Sequence, residues 1–158
     1  MVRTYAPCGQ TPILKEFLSY KHLSLIGAVT PQGRLFIKTY QYAITSTEVI
    51  TFLGQLQRLI PGRLLVIWDG NPTHRSQKIK TYLAKGATKR IQLEQLPGYA
   101  PELNPTEWVW SYLKVVELAN TTCDKLEEIE VLVQNAKKRM QRKPKLIQSF
   151  IRDAGYEV

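Results

Sequence analysis

One short apolar segment limits the folds open to this chain more than any other feature. Residues 64–68 read LLVIW, a wholly apolar run of strand length that ends abruptly at Asp69. Such a run is typical of a strand that is buried on both faces. A polar turn and a basic segment follow, and we predict a helix over about residues 73–85. The segment therefore indicates a strand, a turn and a helix, with a carboxylate at the end of the strand.

The rest of the chain predicts strands and helices in mixed order. Residues 23–29 and 34–40 are apolar or alternating and flank a TPQG turn, so they predict a hairpin. Thr45 and Glu48 have capping-box spacing and begin a helix that the PGR sequence at 61–63 ends. We further predict a strand at 91–96, a helix from Pro105 to about Leu118, and a helix from near Asp124 with apolar residues through Met140. This order predicts an α/β fold with a mixed sheet, in one domain over residues 1–158.

Composition narrows the class of protein. A length of 158 residues suits one domain with a sizeable core. The sequence has neither a membrane-span-length apolar run nor a signal-peptide pattern, and Cys8 and Cys123 lack CxxC spacing, so a cytoplasmic location without a zinc site is expected. The absence of a P-loop or GxGxxG motif gives nucleotide-driven chemistry no support. The net charge of +9, from 22 basic and 13 acidic residues, favours an anionic partner, nucleic acid first.

Two carboxylates each have a local and a chemical interpretation. Asp69 and Gly70 form a common turn pair, but a carboxylate at the end of an apolar strand is also placed to share Mg²⁺ with a phosphate. Glu107 falls at the third position of a helix that Asn104 caps and Pro105 begins, where it can bond back to the cap. The same position would aim Glu107 at a metal ion. Local sequence leaves both interpretations open for both residues.

His74 and the basic residues are candidates for contact with DNA. His74 holds the matching third position if Asn71 caps its helix. It is then either an ordinary exposed histidine or a contact to phosphate or to a metal-bound water. Basic residues lie in two groups: Arg75, Lys78 and Lys80 after the histidine, and Lys137, Lys138, Arg139, Arg142, Lys143 and Lys145 near the end. Each group is either a solvated helix surface or a phosphate-binding surface.

Longer stretches of the sequence resemble a known family. VIWDGNPTHRS (66–76), followed by LPGYAPELNPTEWVWSYLK (96–114), resembles the catalytic domain of DDE transposases from bacterial insertion sequences related to mariner. TYAPCGQTP (4–12) and GAVTPQG (27–33) also fit that family's pattern. The 37 residues between Asp69 and Glu107 are near the family's characteristic interval.

The resemblance implies a ribonuclease-H-like fold and DNA cleavage with strand transfer. It implies that three carboxylates hold two Mg²⁺ or Mn²⁺ ions, with Asp69 as the second acid and Glu107 as the third. His74 corresponds to a recurrent histidine after the second acid. The implied partners are transposon ends and target DNA, which places the protein at the nucleoid.

The sequence departs from this family most at its N-terminal end. The family's first Asp lies on the first strand, upstream of the stretch at 4–12, and here no aspartate precedes Asp69. The helix-turn-helix region is also absent. We therefore expect a catalytic domain that lacks its first strand, is inactive alone, and forms a homodimer or needs a partner polypeptide carrying the first Asp. The alternative is a non-catalytic DNA-binding remnant or regulator.

Overall fold

A computed structural model of the protein describes residues 22–86, 89–98, 100–119, 121, 123 and 125–158. The strands of this part are β1 (Ser24–Val29), β2 (Leu35–Tyr40), β3 (Leu64–Trp68) and β4 (Ile91–Gln95). Its α-helices are α1 (Ser46–Leu59), α2 (Gln77–Ala84), α3 (Pro105–Tyr112), α4 (Leu126–Gln141) and α5 (Pro144–Asp153). Short 3₁₀ helices cover Pro72–Arg75 and Pro101–Leu103, and a π-helical turn covers Leu113–Glu117.

The strands form two separate pairs. β1 and β2 are antiparallel, with Ser24 opposite Tyr40, which confirms the predicted hairpin. Its turn closes where the amide of Gly33 donates to the carbonyl of Thr30 at 2.8 Å. β3 and β4 are parallel. Within the described residues no ladder joins the two pairs, so the predicted mixed sheet is divided between β1 and β3.

Helix α1 packs across both pairs of strands. Its buried residues are Val49, Phe52, Leu53 and Leu56. They divide between two apolar clusters, one containing Phe36 of β2 and the other containing Ile91 of β4 with Ile79 of α2. Ile26 of β1 and Leu64 of β3 each pack against both clusters. The two pairs of strands therefore lie side by side beneath one helix.

The opposite face of the hairpin carries the third cluster. Leu35 and Ile37 of β2 pack there against buried residues of the C-terminal helical region: Val109, Leu113, Val133, Ala136, Met140, Ile147 and Phe150. The predicted apolar face of α4 is confirmed, because Leu126, Val133, Ala136 and Met140 are all buried. This cluster fixes α3, and therefore the first turn of α3, against the hairpin.

The prediction that β3 is buried on both faces is wrong. Leu65 is 60% exposed and Ile67 is 49% exposed, whereas Leu64, Val66 and Trp68 point into the cluster beneath α1 and α2. The physical reason is that helices cover the β3–β4 pair on one face only in the described part of the chain.

Two helix boundaries also differ from the predictions. The predicted helix over 73–85 is interrupted at Ser76, whose hydroxyl accepts from the amide of Ile79 and begins α2. The predicted helix to Leu118 becomes a π-helical turn after Tyr112. Residues 1–21 and Asp124 lie outside the described residues. Among the helices that the structure describes, none has the length and apolarity needed to cross a bilayer.

Candidate active site

Asp69 directly follows β3, and its carboxylate is held by two donors. Its Oδ1 accepts from the backbone N–H of Asn71 at 3.0 Å and faces Nδ1 of His74 at 3.0 Å. The side chain is 48% exposed. The turn interpretation of Asp69 is therefore correct, and it leaves a fixed carboxylate that is open to a ligand.

The turn after Asp69 places His74 beside it. Asn71 caps the short 3₁₀ helix through its side chain, which accepts from the amide of Thr73 at 3.0 Å, so His74 is at the predicted third position. The imidazole stacks on the Trp68 indole, with ring centroids 4.5 Å apart and planes 5° from parallel. Its side chain is only 19% exposed, so the interpretation of an ordinary exposed histidine is wrong.

The contacts of His74 indicate which ring nitrogen carries a proton. Nδ1 lies 3.0 Å from the carboxylate of Asp69 and 3.3 Å from its carbonyl oxygen, and both atoms are acceptors. Nδ1 is therefore the nitrogen that donates, and Nε2 is left for another partner. His74 thus orients Asp69 through one nitrogen and keeps the other for a second partner.

A hydrogen bond from the start of helix α1 also holds the turn that follows Asp69. The hydroxyl of Ser46 donates to the carbonyl of Thr73 at 3.1 Å. Ser46 follows Thr45, which forms the predicted capping box with Glu48. The pKa of Glu48 is lowered because its carboxylate accepts from the hydroxyl and amide of Thr45. Sequence reasoning identified the box but gave no signal for the bond from Ser46 to the turn.

Glu107 lies on the first turn of α3, as predicted, but does not bond back to the cap. The side chain of Asn104 accepts from the amide and hydroxyl of Thr106, at 3.2 and 2.7 Å. The amide of Asn104 donates instead to the carbonyl of Pro101 at 3.0 Å. Within the described residues no hydrogen bond reaches the exposed carboxylate of Glu107. The capping role is therefore absent, and the carboxylate stays available.

The start of α3 is positioned by the hairpin. The Trp110 indole lies on β1 at Gly27, where an added Cβ would come within 2.6 Å of the ring. Val109, the next residue along the helix, is fully buried in the third cluster. Only glycine allows so close an approach of the ring to the strand. Gly27 therefore helps to set where Glu107 lies.

The carboxyl ends of the parallel strands β3 and β4 lie next to each other, at the same end of their pair. The ladder extends one residue further, because the amide of Leu96 donates to the carbonyl of Trp68 at 2.8 Å. Asp69 is the first residue after β3, and the segment that leads to Glu107 begins where β4 ends. Among the described residues, however, no three His, Cys, Asp or Glu side chains gather closely enough to hold a metal ion. The described donor set thus offers two carboxylates of the kind that Mg²⁺ prefers, but no three-residue centre.

The predicted DNA-binding residues differ in their surroundings. Most are exposed: Arg75, Lys78, Lys80, Lys138, Arg139, Arg142, Lys143 and Lys145. Lys137 is half-buried, and this burial together with neighbouring Lys138 lowers its pKa. Arg139 binds the nearly buried carboxylate of Glu117, through Nε at 2.7 Å and Nη2 at 2.6 Å. Arg139 therefore has a structural contact that the basic run in the sequence did not indicate.

Comparison with known proteins identifies related sequences and folds. Residues 2–130 match the sequence model of a family described as DDE superfamily endonuclease. None of the curated proteins matches the chain.

Three solved structures share the fold. The Mos1 strand transfer complex and the Mos1 transposase paired-end complex with left transposon end both align with a TM-score of 0.63 at 16% identity. These alignments cover 99% and 98% of this chain, and 50% and 51% of the Mos1 chains. The catalytic domain of Mos1 mariner transposase aligns with a TM-score of 0.60 at 16% identity, over 90% of this chain and 79% of that one. The ribonuclease-H-like fold class is confirmed, and the chain spans about half the length of the longer Mos1 chains.

Proposed function

Because this chain belongs to the DDE superfamily endonuclease family, we propose that it is the catalytic part of a DNA transposase. The reaction is cleavage of DNA at transposon ends and transfer of the cut strand to target DNA, at the nucleoid. The observation that carries the proposal is the half-exposed carboxylate of Asp69, held at the end of β3 by Asn71 and His74. Glu107, on the helix that follows β4, supplies the other carboxylate of the proposed site.

Asp69 and Glu107 are the proposed ligands of Mg²⁺ or Mn²⁺. Both are hard oxygen donors, and among the described residues neither forms a salt bridge with Lys or Arg. When bound in a pair, such ions stabilise the attacking and leaving oxygens of an in-line displacement. His74 keeps Oδ1 of Asp69 in place, and its Nε2 is the proposed contact to a phosphate or to a metal-bound water.

The exposed basic residues are the proposed DNA contacts. Arg75, Lys78 and Lys80 follow His74 along the chain, and the second group lies at the end of α4 and the start of α5. The ammonium of Lys78 also reaches the hydroxyl of Thr47 at 3.5 Å. Because phosphate contacts release counterions, binding should weaken steeply as salt rises. The solved Mos1 complex with a transposon end supports DNA as the partner.

The family's first acid is proposed to come from another strand. β1 and β3 pack against the same helix, and among the described residues neither pairs with a strand outside its own pair, so each has an edge open to a further strand. We propose that a strand from a partner polypeptide or a second copy pairs there and supplies the missing aspartate. The isolated chain is then inactive.

A second candidate function is a DNA-binding remnant or regulator. It is favoured by the net charge of +9 together with the absence of a three-residue metal centre among the described side chains. This function needs the basic surface alone, and neither carboxylate would contribute to it.

Metal binding separates the two functions. Mn²⁺ binding to the full chain is measured by electron paramagnetic resonance for the unaltered protein and for Asp69→Asn and Glu107→Gln. Glu127→Gln is the matched control, because Glu127 is also an exposed glutamate in a first helical turn. The proposal expects both site variants to bind Mn²⁺ more weakly and the control to bind it as the unaltered protein does.

DNA assays complete the test. Salt-sensitive DNA binding that is unchanged in an Asp69→Ala, Glu107→Ala double variant, with no dependence on metal, would support the regulator instead. Mg²⁺-dependent nicking by the isolated chain, abolished by Asp69→Ala, would show that no additional strand is needed.

A further inference from the structure

The last helix ends in a motif that aims one side chain at α3. Gly155 follows α5 with a φ of 89°, in the left-handed region that favours glycine. Its amide donates to the carbonyl of Arg152 at 2.8 Å, and the amide of Tyr156 donates to the carbonyl of Ile151 at 3.2 Å. These two bonds form a Schellman motif. The backbone of Tyr156 is therefore fixed to the end of α5.

The phenol of Tyr156 binds the backbone just before the cap of α3. Its hydroxyl donates to the carbonyl of Leu103 at 2.9 Å. The amide on the other side of the same peptide group, that of Asn104, donates to the carbonyl of Pro101. Both polar groups of this peptide are therefore held, immediately before the residue that caps α3. Glu107 lies three residues further on.

Packing between α5 and α3 keeps the two ends of this contact in register. The Phe150 ring of α5 lies against Tyr112 of α3, with centroids 5.5 Å apart. Fully buried Ile147 of α5 shares the third cluster with Val109 of α3. The hydroxyl of Tyr156 therefore acts on α3 from a helix that is itself fixed to it.

We propose that Tyr156 is a positioning residue for Glu107, which sets the direction in which the first turn of α3 presents its carboxylate. The inference rests on the proposed function, since it takes Glu107 as a metal ligand. Tyr156 lies outside residues 2–130, the part that matches the family's sequence model. The C-terminal segment thus takes part in the site although it lies beyond the family match.

The test removes one hydroxyl at a time. Tyr156→Phe loses the bond to Leu103, and Tyr82→Phe is the control, because the half-buried Tyr82 hydroxyl donates to Gln57 at 3.0 Å, between α1 and α2. Mn²⁺ affinity of the full chain should fall about three- to ten-fold in Tyr156→Phe, the range expected for one hydrogen bond, and stay unchanged in Tyr82→Phe. Amide hydrogen exchange over residues 104–107 should accelerate in Tyr156→Phe alone.

A double-mutant cycle separates positioning from a general loss of stability. In the Glu107→Gln background, Tyr156→Phe should have no further effect on Mn²⁺ affinity. If Glu107→Gln weakens binding but Tyr156→Phe matches the control in both affinity and amide exchange, the inference is overturned and the proposed function stands. If Glu107→Gln leaves binding unchanged, the metal-ligand assignment is overturned, and the inference with it.

Discussion

The two pairs of strands in this molecule are covered to very different extents. In β2, the successive residues Leu35, Phe36 and Ile37 are 3%, 8% and 3% exposed, so both faces of the hairpin are packed. In β3, Leu65 and Ile67 are 60% and 49% exposed, so one face is bare among the described residues. The pair that carries Asp69 is thus the less completely packed of the two.

The two carboxylates of the candidate site therefore differ in their surroundings, since Asp69 follows the less packed pair of strands and Glu107 lies on a helix packed against the hairpin. The hairpin is enclosed by α1 on one face and by the α3–α5 region on the other. The third cluster, which lies on this other face, also holds the helix of Glu107. Within the described ranges, the β3–β4 pair has one face without covering helices, and no second strand pairs with β3, the strand that ends at Asp69. Residues at the low-stability end of a structure are those that ligands and partners most often engage.

The largest expected effect contrasts the two regions directly. Ile147→Ala removes a fully buried side chain from the cluster behind the hairpin, and should lower the free energy of unfolding by about 2–5 kcal/mol. Ile67→Ala, the same change on the bare face, should alter it by less than about 0.5 kcal/mol. Urea denaturation of both variants measures the difference. Equal losses would mean that β3 is covered on both faces.

A smaller loss is expected where α3 meets the hairpin. Gly27→Ala places a Cβ 2.6 Å from the Trp110 ring, and the repacking should cost about 1–3 kcal/mol. Gly54→Ala is the control, since its Cβ meets nothing closer than Arg58 Nη1 at 3.8 Å and alanine suits a helix interior, so stability should rise by about 0.5–1 kcal/mol. Thermal unfolding of both variants distinguishes them. A neutral Gly27→Ala would show that α3 moves freely on β1.

Much of the fold is readable from local sequence signals. The LLVIW run gives the bounds of β3 without error, and the spacing of Thr45 and Glu48 gives the start of α1. Helix α5 was not predicted, although Pro144 at its first position and Gly155 after its end are ordinary boundary signals. The basic run before Pro144 indicates either a solvated helix surface or a phosphate-binding surface, and neither interpretation predicts the start of a new helix.

The wrong predictions concern burial and side-chain contacts, which depend on residues that are distant in the sequence. A wholly apolar strand is compatible with two covered faces or one, and only the surrounding helices decide between them. The contact between His74 and Asp69 depends likewise on a 3₁₀ turn and on stacking with Trp68, which spacing alone does not specify. The roles of Asp69, Glu107, His74 and the basic residues stay predictions that rest on the family resemblance.

A modest effect should appear in both regions at once when the start of α1 is altered. Thr45→Ala removes the capping hydroxyl of α1 and should lower the free energy of unfolding by about 1 kcal/mol. Because α1 packs against both pairs of strands, both pairs should open more often. Thr51→Ala, whose hydroxyl only donates to the Thr47 carbonyl within the helix, is the control and should be near neutral. Hydrogen exchange should show faster opening of both β2 and β3 in Thr45→Ala. Opening of one strand alone would mean that α1 does not couple the two pairs.

The smallest expected effect is a loss of stability at acidic pH, to which Glu130 in the packed region contributes. Glu130 of α4 accepts from Gln41 at 2.8 Å and from Thr39 of β2 at 2.9 Å, and these hydrogen bonds lower its pKa. A carboxyl whose pKa is lower when folded stabilises the protein above its unfolded pKa and loses that contribution as pH falls through the folded value. The stability difference between the unaltered protein and Glu130→Gln should therefore be constant near neutral pH and shrink below about pH 4. Glu128→Gln is the control, because Glu128 lies on the same helix without such bonds among the described residues, and it should show no comparable change. If the difference for Glu130→Gln instead grew in acid, the Glu130 contacts would not hold α4 to the hairpin.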